Sequence, residues 1–181
     1  MDTALTQTTR PVAKTLVLLL RVAQSFLVIA AILLLLIGGL FLIPNGPMSS
    51  VIETLAAEGA TPPQAGALAF AFIASAITAA AWFVVLNILV KIVRTVQAGD
   101  PFVEANIARL RTMWILIAGT EIFRMIVHSA ADLNLAGTSV STADTGLDIR
   151  IGTWFLVLVI AVLSEAFRHG AAMRREQELT I

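Results

Sequence analysis

The sequence predicts an all-α fold: an integral membrane bundle of four transmembrane helices, with a short amphipathic cytoplasmic helix before the third. Three observations carry this. Of the 181 residues, 58% are hydrophobic and 13% charged, against about 45–50% and about 25% in an average soluble domain. The apolar residues gather in runs that, at about 1.5 Å per helical residue, can cross a hydrocarbon core of about 30 Å. The basic residues fall almost wholly in segments that alternate spans would leave on one side. Residues 1–181 read as a single membrane domain with spans at roughly 16–43, 65–90, 113–131 and 151–167.

The first span is the plainest, because Phe26 to Ile43 contains no polar or charged side chain. A cleaved signal peptide has an apolar region of about 7–15 residues and a small-residue cleavage site. Here the longer run ends in Pro44-Asn45-Gly46-Pro47, a turn, so a retained anchor helix is expected. Ser50 and Glu53 have the spacing of a capping box, and Gly59 suits a helix end, which predicts a short amphipathic turn at the membrane surface.

Pro62 and Pro63 suit the start of the second span, and Ala65 to Val90 is free of charge. Ala67, Ala71, Ser75 and Ala79 recur every four residues as a small-residue stripe of the kind that lets helices approach closely. Gly99-Asp100-Pro101 reads as helix stop, N-cap and first helical position. The amphipathic helix after it carries Val103, Ile107, Leu110 and Trp114 on one face and runs into the third span. A polar loop, Asp132 to Arg150, precedes the fourth. With the N-terminus in the cytoplasm, the inside segments hold 10 of the 12 Lys and Arg. The positive-inside rule therefore predicts both termini in the cytoplasm and a place in the cell's inner, cytoplasmic membrane.

Lys plus Arg equals Asp plus Glu at 12 each, so net charge points to no direct nucleic-acid binding. The chain has no Cys and only His128 and His169, which excludes thiol chemistry and a multi-histidine metal site. No phosphate loop, zinc-protease or nucleophile-elbow motif occurs. An enzyme, a cofactor and a metal site are therefore not expected. Asp132, Asn134, Asp144 and Asp148 are too irregularly spaced for a calcium loop.

Two constellations remain. Glu121, Arg124, His128 and Asp132 fall on one face of the third span as an intramembrane polar stripe. Facing lipid, its charges would be untenable, so the stripe must face the bundle or a wet cavity. It reads either as a proton- or ion-sensitive site, with histidine as the group that titrates in the physiological range, or as a buried clasp joined by Asn87, Ser75 or Thr78. Glu165, Arg168 and His169 form an interfacial salt-bridge cluster at the end of the fourth span. The segment from Asp100 to Arg111 combines Phe102, Val103 and Ile107 with a basic pair, and is the best candidate docking surface.

Gly99, Pro101, Phe102, Asn106 and Leu110, with the tail of Phe167, Arg168, Gly170, Glu176, Glu178, Leu179, Thr180 and Ile181, resemble the two signature segments of a bacterial membrane family known only as domain of unknown function 2975. The resemblance implies a small multipass protein, often encoded beside a small helix-turn-helix regulator of the Cro/C1 type, and no catalytic residues. It adds Asn106, Leu110, Leu179, Thr180 and Ile181 to the partner-docking candidates. The function expected is regulatory or sensory: a bundle in the lipid bilayer whose cytoplasmic face holds a small helix-turn-helix DNA-binding protein. The alternatives are a small transporter or channel assembled as a homo-oligomer around the third helices, and a structural accessory bundle.

Overall fold

In the computed structural model, which describes the backbone of residues 3–57, 64–135 and 149–178 and most side chains from 14 to 173, the described chain is all-helical. The helices are α1 (Thr3–Leu40), α2 (Pro47–Ala57), α3 (Ala65–Gln97), α4 (Glu104–Leu135) and α5 (Ile151–Glu178). Within them, Lys14–Leu40, Ala65–Gln97 and Ile151–Met173 are long and apolar enough to cross a membrane. α4, interrupted by Glu121, Arg124 and His128, is not among these three.

Several boundaries differ from the expectation. α1 stops at Leu40, because Phe41 to Ile43 enter a turn that closes when the Gly46 N–H donates to the Ile43 carbonyl at 3.1 Å. α2 begins at Pro47, three residues before the expected cap, and Ser50 Oγ donates to the Pro47 carbonyl instead of capping. Gly59, Pro62 and Pro63 lie outside the described residues. The expected amphipathic helix and the residues it runs into form one continuous α4, which begins at Glu104. α4 also continues to Leu135, so the expected loop starts in helix, and residues 136–148 of it lie outside the described residues. α5 continues well past residue 167.

By packing, the chain divides into two compact units. The first gathers Met1–Phe26, Ala81–Gly119 and Arg150–Ile181. Its core is Val85 and Ile88 of α3, Leu110, Met113 and Ile117 of α4, and Ile160 of α5, with Trp82, Trp114 and Phe167 half-buried against it. Leu110, Met113 and Ile117 are three and four residues apart, the spacing of one helical face, so one stripe of α4 closes over two partners.

The second unit comprises Leu27–Ala80 and Thr120–Ile149. Here α1 and α3 approach closely at Gly38, where a Cβ would stand 3.1 Å from Phe72 and Ile73 side chains and 3.3 Å from the Ala69 carbonyl oxygen. Phe41 and Phe72 stack just beyond, with ring centroids 5.7 Å apart. The buried small residues of α3 in this unit are Ala69, Ala74, Ala76 and Ala79, whereas Ser75 is exposed. Of the expected stripe only Ala79 is buried, Ala67 and Ala71 being half-buried. At Gly38 the α3 residues that face α1 are Ala69, Phe72 and Ile73, and Ser75 turns its hydroxyl onto its own helix at Ala71.

Candidate functional site

The α3–α4 corner is built around one buried polar side chain. α3 ends in a Schellman arrangement: the Asp100 N–H reaches the Thr95 carbonyl at 3.3 Å and the Gly99 N–H reaches Val96 at 3.1 Å. Gly99 has φ +86°, the left-handed conformation that such a stop requires and that glycine adopts without penalty. The Gly stop is as expected. Asp100 and Pro101, however, do not open α4; they stay in the turn and the helix begins at Glu104.

Asn106 accounts for that turn. It is 0% exposed, the largest fully buried side chain among the described residues. Its amide nitrogen donates to the Pro101 carbonyl at 2.9 Å and to Thr95 Oγ1 at 2.7 Å, and the Thr95 hydroxyl donates on to the Ile92 carbonyl at 2.7 Å. Its Oδ1 accepts from Arg109 Nη1 at 2.9 Å. Both amide hydrogens and the oxygen are thus satisfied, the condition under which a buried amide is tolerated. One side chain joins the last turn of α3, the connecting turn and the first turn of α4.

Phe102 projects from the turn onto α5. Its ring lies 5.1 Å from that of Phe167 at an interplanar angle of 45°, and a Cβ at Gly170 would stand 3.1 Å from its edge atoms. The two segments that carried the family resemblance therefore meet: Phe102 from one, Phe167 and Gly170 from the other. Gly170 leaves room for this close approach. Gly170→Leu should force the ring out and lower stability by about 1–3 kcal/mol, the usual cost of overpacking. In a Phe102→Ala background the same substitution should cost little, and thermal unfolding of the four proteins in one detergent checks this.

The docking expectation is thereby narrowed. Asn106 and Leu110 are buried, one in the hydrogen-bonded corner and the other in the core, so neither can meet a partner directly. Val103 and Ile107 are half-buried; Phe102 is 41% exposed although it contacts α5. Leu179, Thr180 and Ile181 lie outside the described residues. Sequence reasoning missed Thr95 as a member of the corner; its signal was a hydroxyl residue one turn before a Gly stop.

The polar stripe of α4 is only partly assembled. Glu121 is 5% exposed. Arg124 Nη2 donates to Glu121 Oε1 at 2.6 Å, and its Nε lies 3.2 Å from both carboxylate oxygens. The pair is internally neutralised and nearly buried. His128 is exposed and Asp132 side-chain placement lies outside the described residues, so the structure brings together two of the four. Ser75 and Thr78 donate to the carbonyls of Ala71 and Ala74 in their own helix. At the end of α5, Glu165 pairs with Arg168 and lies 3.2 Å from His169 Nε2, all three exposed.

A family model described as "Protein of unknown function (DUF2975)" matches residues 53–181. No curated protein matches the chain, and no solved structure does.

Proposed function

We propose that this chain, which belongs to the DUF2975 family of proteins of unknown function, is a four-span membrane protein that acts by holding a small cytoplasmic transcription regulator. The observation that carries this reading is the placement of its charges. Ten of the 12 Lys and Arg, all but Arg124 and the Arg150 that precedes α5, fall in the inside segments of the first unit, which also contains the meeting of the two signature segments at Phe102, Phe167 and Gly170. In the cytoplasmic membrane the positive-inside rule turns that unit to the cytoplasm, where a soluble partner can reach it.

α4 is the fourth span in this reading. Its buried Glu121–Arg124 pair lets an apolar helix carry two charges within the bilayer, since each is compensated by the other. The partner surface is what the corner leaves outside: the exposed part of Phe102, with the exposed Glu104 and Arg111 beside it. The helix-turn-helix identity of the partner rests on the resemblance alone.

Topology is tested directly, because the chain has no Cys. Single cysteines introduced at Ser50 and at Ala98 should label from opposite sides, Ser50 from outside and Ala98 only after the membrane is opened. Equal labelling of both from outside would sink the four-span arrangement. A photo-crosslinking residue at Arg111 in intact cells tests the partner. A small helix-turn-helix protein in the adduct supports the reading, and adducts with lipid or membrane proteins alone reject it.

The buried pair favours one second reading, a transporter using α4. Flux of an ion across liposomes that stops with Glu121→Gln would establish it. The mutual neutralisation of Glu121 and Arg124 weighs toward a clasp, since a transport site must offer one of them to a substrate.

A further inference from the structure

We propose that the cavity where α1 turns into α2 binds the ammonium head and first methylenes of an alkylammonium amphiphile. The cavity has a volume of about 490 Å³ and lies wholly within the second unit. That is within the range of about 300–1,000 Å³ that holds small ligands. Phe41, Met48 and Ile52 supply apolar wall, while Asn45, Glu53 and Gln64 supply the polar groups.

The wall is preorganised. Asn45 is held in the left-handed region at φ 56°, the only non-glycine residue so placed among those described. A Cβ at Gly46 would stand 3.0 Å from the Ile43 carbonyl oxygen, so a side chain there would press on the turn. Ser49 donates both its N–H, at 3.0 Å, and its hydroxyl, at 2.6 Å, to the Gly46 carbonyl, which fixes the first turn of α2. Phe41 is braced from behind by its stack on Phe72.

Charge selects the occupant. Among the described residues, Glu53 is the single charged side chain lining the cavity and no cation pairs with it. An anionic ligand would meet an uncompensated carboxylate. An ammonium has three N–H donors and no acceptor, and the Glu53 carboxylate with the amide oxygens of Asn45 and Gln64 offers three acceptors. The apolar wall beside them takes the chain that follows the nitrogen. The cavity lies where the apolar run of α1 ends, the depth at which an amphiphile places its head. Two sources share this chemistry: an aminolipid of the bilayer and a free amphiphilic amine.

The test uses the full-length protein in maltoside micelles and n-decylamine carrying a diazirine in its chain, with labelled peptides mapped by mass spectrometry. Saturable labelling within residues 41–53, suppressed by plain n-decylamine and not by n-decanol, is expected. Glu53→Gln should weaken it about tenfold, the scale of one charge-assisted hydrogen bond. Met48→Trp should block it by filling the wall, and Glu165→Gln should leave it unchanged. A parallel experiment in phosphatidylglycerol nanodiscs uses a trace of diazirine-tagged phosphatidylethanolamine. Labelling there that n-decylamine displaces identifies the aminolipid as the source; labelling by the amine alone identifies a free amine. Competition by n-decanol equal to that by n-decylamine, or labelling indifferent to Glu53→Gln, overturns the proposal. Glu53 is exposed, so its conservative substitution does not threaten the fold.

Discussion

Arg124→Leu is expected to lower the stability of the protein in detergent by about 3–5 kcal/mol, the range found when one partner of a buried ion pair is removed. The ion pair is short and both side chains are largely withdrawn from solvent, at 13% and 6% exposure. Removing the guanidinium leaves a carboxylate that is 5% exposed without the cation that faces it. Glu121→Gln in the same chain removes that charge while keeping the shape, so the double variant should recover much of the loss. Thermal or denaturant unfolding of the wild type, both single variants and the double variant gives the coupling. Additive effects would show that the two residues act independently, and would remove the physical reason for placing α4 within the bilayer. The same set read by ion flux separates a clasp from a transport site, since a clasp alters stability without creating or abolishing flux.

What the sequence disclosed and what it concealed follow one division. Apolar runs and Gly99 as a stop depend on composition along a single segment, and helices α1, α3 and α5 cover the runs that these signals mark. The Glu121–Arg124 pair was legible for the same reason, because a separation of three residues on a helix brings side chains together without reference to any other element. Contacts between segments distant in sequence were not legible. Nothing local says that Phe102 will cover Gly170, or that the buried face of α3 in the second unit passes through Ala69 and Ala76 and leaves Ser75 exposed. Pro101 shows a third case. Its fixed φ suits a first helical position, but the Asn106 amide engages its carbonyl from within α4 and holds it in the turn. A side-chain hydrogen bond from five residues along the chain overrode the backbone preference. Asn106 and Leu110, which the family resemblance offered as docking candidates, are buried in the corner and the core.

Asn106→Leu should therefore be among the most damaging single changes in the chain, although it exchanges a polar residue for an apolar one of similar size in a membrane protein. The side chain is fully buried, and its removal orphans groups on three segments. The Pro101 carbonyl loses its donor, Thr95 Oγ1 loses the hydrogen bond that it accepts, and Arg109 loses an acceptor at 2.9 Å. A buried polar group left unsatisfied costs about 1–3 kcal/mol, and the half-buried setting of these partners puts the total at about 2–4 kcal/mol by that scale. Thr95→Val removes only the hydroxyl link and should cost about 1 kcal/mol. The double variant should cost less than the sum, because Thr95 then has no polar group to orphan. Local structure should report it too: amide hydrogen exchange at Gly99 and Asp100, whose N–H groups close the end of α3, should accelerate in Asn106→Leu while that of residues 69–79 stays slow. If Asn106→Leu is neutral and exchange at the corner is unchanged, the turn is held by the Schellman bonds alone, and the amide contributes to neither α3 nor α4.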